Sequence, residues 1–234
     1  MAGQDGRRGY ADAAEDATGF GVRDLRVSKD LVLRPRAVLR AYHEEGPTAG
    51  GRYPRPLRYF LALNGLLMLI LFFMGGMDGM MPPEFRTLAA EFAARAGESV
   101  DAWIGDFDGW ASFATVPLVS AFMLGGFAPL LKWWCGCDWR RAVRGALVYS
   151  AGWTLLLVPL SPFFYRQEYG LIGAVIMYGL GVVTFLRMGR GTWYQTAVAG
   201  VLKGLLLIAV TLLVTVPAQI LVFGVGVLGA TFGP

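Results

Sequence analysis

Cys135-Gly136-Cys137 carries the most obvious reactive chemistry in this chain, because thiolates bind soft metals and exchange disulfides. A structural zinc site needs about four ligands, commonly drawn from C-x2-C pairs. Here the spacing is C-x-C, the cysteines number two, and His43 is the sole histidine. Two cysteines also fall short of a disulfide framework. The expectation is two small residues at a membrane boundary. The sharper alternatives are redox exchange at Cys135 and Cys137, a bridge between two copies, or a metal shared with His43.

Acid–base chemistry has less to work with. His43 stands beside Glu44 and Glu45 in a basic segment, with no nucleophile–base pair, phosphate loop or HExxH helix nearby. Asp106 and Asp108 are two apart on an expected loop, where carboxylates are ordinarily just solvated. The chain is therefore expected to be non-enzymatic, with no cofactor and no metal. Polar groups at membrane depth are the remaining place where chemistry concentrates. Asn64, Lys203 and Gln219 qualify, with Lys203 expected to reach back toward the interface and the two amides to act as contacts between helices. No Asp or Glu falls in any apolar run, so a proton or sodium relay has no obvious carrier.

The elements that must position these residues are five apolar runs, near Tyr59–Met77, Phe113–Leu131, Ala142–Leu160, Tyr169–Leu186 and Thr196–Phe223. Each is long enough to cross a hydrocarbon core about 30 Å thick at about 1.5 Å per residue. Charge is sorted between them. If the connecting segments alternate inside and outside, the inside ones carry 17 of the 21 Lys and Arg, counting Arg144 at the start of the third run. Only Arg86, Arg95 and Arg166 fall outside, and Lys203 lies within the last run. That asymmetry is the positive-inside signature of a membrane protein. The expected fold is all-α: five transmembrane helices, a cytoplasmic N-terminus and an extracytoplasmic C-terminus. The charged fraction of 16% is too low for a soluble domain, where about 25% is usual. The net charge of +4 is explained by topology and anionic headgroups, and nucleic acid is not an expected partner.

Three regions follow. Residues 1–23 read as a disordered cytoplasmic tail. Residues 24–56 form a basic amphipathic segment in which Leu31, Val38, Leu39 and Tyr42 alternate with Arg34, Arg36 and Arg40. It is expected either on an anionic membrane face or packed on the ends of the spans. Residues 57–234 make the membrane domain, with an extracytoplasmic helical loop at 78–110 opened by Pro82–Pro83 and broken near Gly97. At the interfaces, Arg52, Tyr53, Arg55, Arg58 and Tyr59 precede the first span, and Trp133, Trp134 and Trp139 follow the second; both sets suit a belt of charge and aromatic rings. Gly75-Gly76, Gly125-Gly126 and Gly224/Gly226 are expected to allow close helix contacts.

The stretch LVLRPRAVLRAYHEEGPTAGGRYPRPLRYFLALN resembles the start of a family of bacterial inner-membrane proteins of unknown function. That family shows an RPxxxxRxY segment followed by RYxxPxRYxL, matched here by Arg34, Pro35, Arg40, Tyr42, Arg52, Tyr53, Pro56, Arg58, Tyr59 and Leu61. Members often carry an N-terminal zinc ribbon, but this chain has no CxxC there, so zinc is not carried over. The five-span layout is also similar, more weakly, to the Yip family of membrane-trafficking proteins. The resemblance implies a multi-pass inner-membrane protein and supplies no catalytic residue. The expected role is a scaffold or accessory subunit, bound to anionic lipid headgroups and to other membrane proteins or its own copies. A small channel or transporter is the alternative, and a lipid-acting enzyme ranks behind it.

Overall fold

The computed structural model describes residues 21–74, 84–164 and 170–233. The expected tail up to residue 20, Gly75-Gly76, Pro82–Pro83 and Arg166 lie outside them. The fold is all-helical. Two short helices, α1 (Val22–Leu33) and α2 (Pro35–Glu44), precede α3 (Pro56–Phe73), the helix of the first apolar run. Then come α4 (Phe85–Ala96), α5 (Val100–Cys135), α6 (Trp139–Leu157), α7 (Gly170–Gly189) and α8 (Ala197–Phe232). Helix α6 runs on through a 3-10 turn at Val158–Leu160 and a helical turn at Ser161–Phe164. Among the described residues, four helices are long and apolar enough to cross a membrane: α5, α6 with its continuation, α7 and α8. The apolar part of α3 within the described residues, Pro56–Ile70, is shorter. This is the architecture of a multi-pass membrane protein.

Helices α5 and α8 are each 36 residues, about 54 Å at 1.5 Å per residue. That is well beyond a hydrocarbon core of about 30 Å. A tilt large enough to absorb the excess would exceed the observed range of about 0–40°, so both helices extend past the core. They pair antiparallel. Gly126 approaches Val210 and Val214, Gly226 approaches Phe107, and Trp103 Nε1 donates to Thr231 Oγ1 at 3.2 Å. The expected loop helix is thus two pieces: α4, and a start of α5 continuous with the second span. Gly97 divides them in the left-handed region at φ 76°, and Ser99 caps α5 by accepting from Ala102 N.

Two cores result. At the acidic end, α4 lays Phe85, Ala89 and Ala93 on Trp103, Phe107, Val222 and Ala230. This covers one side of the C-terminal part of α8. At the basic end, a larger core gathers α1, α2 and the adjoining ends of the long helices around α6. Helix α6 is the central element: Gly145 through Trp153 is buried without interruption. Gly152 sits where a Cβ would lie 3.1 Å from Met188, so small residues let α7 approach α6 closely.

Candidate functional site

The Arg-rich segment packs on the helix ends at the basic end of the bundle. Proline at 35 cannot donate an N–H and disfavours helix at the residue before it, so the chain breaks at Arg34 and restarts as α2. Helix α1 buries Val27 and Leu31, and α2 buries Val38, Leu39, Ala41 and Tyr42. Polar ties fix both to the lead-in of α3. Asp24 Oδ2 accepts from Gly21 N at 2.7 Å and pairs with Arg58 at 3.4 Å. Ser28 Oγ and Tyr59 OH are 2.7 Å apart. Tyr53 OH donates to Asp30 Oδ2 at 2.8 Å, and Tyr42 OH donates to the Pro54 carbonyl at 2.7 Å. Of the two arrangements open to this segment, the packed one is observed.

Those ties place the expected interfacial residues on two sides. Tyr53 and Tyr59 turn inward and are buried, while Arg52, Arg55 and Arg58 stay outward. Burial first, and the Asp30 hydrogen bond second, push the Tyr53 hydroxyl up to about 12, so it remains a donor at physiological pH. The tryptophans divide likewise. Trp133 is 75% exposed and Trp139 52%, with Lys132 Nζ 4.9 Å from the Trp139 centroid; these fit a headgroup boundary. Trp134 instead meets Phe185 edge-on at 5.7 Å. Lys203 reaches toward the basic end, donates to the Trp193 carbonyl at 2.7 Å and lies 5.1 Å from the Trp134 centroid. Asn64 donates to Phe60 O of its own helix at 2.8 Å, and Gln219 is exposed.

The arginines converge on a groove of about 590 Å³ beside α2. Arg34 lines it from the break before α2, Arg36 and Arg40 from α2, Arg52 from the following turn, and Arg187 from the end of α7. Arg187 donates to the Val32 carbonyl, and Arg52 pairs with Glu45. Arg34, Arg36 and Arg40 make no ion pair with a described residue, and Arg36 Nε is buried without a partner. Glu44 and Glu45 also line the groove, leaving five arginines against two carboxylates. The N-terminus of α2 opens here with no side-chain cap. Arg187 is the contributor that sequence reasoning did not join to this set, because nothing local links the end of the fourth run to residue 34.

Cys135 and Cys137 are joined in a disulfide at the C-terminus of α5. Gly136 caps that helix at φ 62°, and the turn brings the two Cα atoms to 5.2 Å, within the disulfide range. Among the described residues no three His, Cys, Asp or Glu gather as metal ligands.

His43 lies between α2 and α6, its Nε2 buried and unpartnered beside Gly145. Burial is the larger cause, and Arg144 and Arg141 the smaller, of a pKa lowered to about 4; Asp138 opposes them. The unfolded chain takes up a proton near pH 6.5, where the folded chain does not. The His43 contribution to stability is therefore complete above that pH and lost as pH falls toward 4. Melting curves of the full chain between pH 7 and 4 should show this decline, and His43→Gln should make it shallower. An unchanged slope would remove His43 from the account.

No protein-family model matches the chain, and no curated protein and no solved structure shows detectable similarity to it.

Proposed function

We propose that the chain is a non-enzymatic five-span protein of a bacterial inner membrane, with its N-terminus cytoplasmic and its C-terminus outside. It serves as a scaffold or accessory subunit of a larger membrane complex, with its basic end on anionic headgroups. The fifth span is supported by the apolar run Tyr59–Met77, whose sequence continues past the described part of α3. The orientation is supported by the collection of Arg and Lys at one end of the bundle.

The scaffold role rests on the outer part of α8. Taking Lys203 and its Trp193 partner as the inner boundary, about 20 residues cross the hydrocarbon core. Beyond them, Leu228 is 61% exposed and Phe232 78%, on the side that α4 and α5 leave open. Large apolar side chains outside the lipid are costly to hydrate, and such patches mark protein contacts. Native-membrane isolation of the full chain tests this: it should co-purify with a larger membrane complex. A stable lone monomer recovered from native membrane would refute the role.

A further inference from the structure

We infer that the arginine groove between α2 and the end of α7 binds a phosphate ester. Three guanidiniums, on Arg34, Arg36 and Arg40, bring like charges together along one short stretch with no carboxylate paired to them among the described residues. Arg36 and Arg40 are four residues apart on α2, a spacing at which like charges repel. Arg187 adds a fourth guanidinium from a separate helix, held in place by its bond to the Val32 carbonyl. A bound anion is the simplest way to offset that repulsion.

The chemistry selects phosphate. Guanidinium forks match tetrahedral oxyanions through paired N–H donors. At the start of α2 Pro35 has no N–H and Ala37 N and Val38 N are bonded to the Arg34 carbonyl, so the helix adds the Arg36 backbone N–H and the positive end of its dipole at the same groove. Arg36 contributes a guanidinium whose Nε is buried and lacks a partner. The groove is shallow and open to the outside, so a phosphate group could reach the guanidiniums without any rearrangement of the helices. The two available sources are a phospholipid headgroup and a soluble phosphate ester. Leu33, exposed on the groove wall, and Val183, exposed one turn before Arg187 on α7, would lie alongside an acyl chain. The inference does not depend on the scaffold role and survives its failure.

The test uses the full chain in neutral detergent, titrated with fluorescent phosphatidic acid and, separately, with glycerol 3-phosphate as competitor. Arg34→Gln/Arg40→Gln removes two exposed groove charges; Arg23→Gln/Arg26→Gln removes two exposed charges from α1, outside the groove. The groove pair should weaken binding about tenfold or more, and the α1 pair less than about twofold. Arg40→Lys keeps the charge without the fork and should fall between them; it carries the test if the double variant does not fold. Competition by glycerol 3-phosphate assigns a soluble ester. Lipid binding without competition assigns the headgroup. Equal losses in the two double variants, or no binding of either probe, would overturn the site.

Discussion

Replacing Gly226 with valine is expected to lower the unfolding free energy by about 2–3 kcal/mol, while Gly224→Ala on the same helix is neutral or stabilising by up to about 1 kcal/mol. A Cβ at 226 would lie 2.6 Å from the Phe107 ring and 3.2 Å from Ala111 Cβ. Phe107 cannot yield. Its ring is 1% exposed and wedged by Phe85 at 5.1 Å, Trp103 at 5.6 Å and Phe223 at 5.5 Å. Gly224 meets nothing within 4 Å, so a methyl there costs no contact and gains helix propensity. Denaturant unfolding in detergent, followed by near-UV circular dichroism of the aromatic cluster, would separate the two. Equal effects from both substitutions would show that α5 and α8 do not pair in this register.

That contrast marks what the sequence could and could not express. Glycine pairs signalled close packing at 125–126 and at 224/226, yet only Gly126 and Gly226 touch a neighbouring helix, because the facing side depends on how α5 and α8 rotate against each other. Composition and charge sorting pointed to apolar helices with the arginines gathered at one end, since both follow from the cost of placing charge in lipid. Run length said less than it could. The last run was already longer than one crossing requires, and the core under α4 explains where its excess goes. Tyr53 and Tyr59 illustrate the harder case. Aromatic rings beside arginines read locally as an interfacial belt, and their inward turn depends on Asp30 and Ser28, 23 and 31 residues away. Arg187, 155 residues from Val32, was beyond the reach of any local pattern. The candidate site was thus legible as a run of arginines at and after the break before α2, but not as a groove.

The tie between Asp24 and Arg58 leads to the second large effect, and its sign runs against exposure. The Asp24 side chain is 1% exposed and that of Arg58 is 49% exposed, so burial alone would rank Asp24→Ala as the worse change. Electrostatics reverses the order. Asp24→Ala removes the acceptor for Gly21 N, a loss of about 1 kcal/mol of helix capping, and takes one partner from a guanidinium that is already half exposed. Arg58→Ala leaves a carboxylate buried without that countercharge, with its Oδ1 already lacking a partner. Breaking a fully buried pair from one side costs about 3–5 kcal/mol; the half-exposed guanidinium reduces this to about 2–3 kcal/mol. The double variant should then be more stable than Arg58→Ala alone, because the stranded charge is gone. Because α1 is held to α3 through this pair, the loss should appear first as local release of α1. Tryptic cleavage after Arg23 and Arg26 on the folded protein reads it directly: fastest in Arg58→Ala, slower in the double variant, slowest in the parent chain. Strictly additive rates would mean that the pair does not couple α1 to the membrane domain.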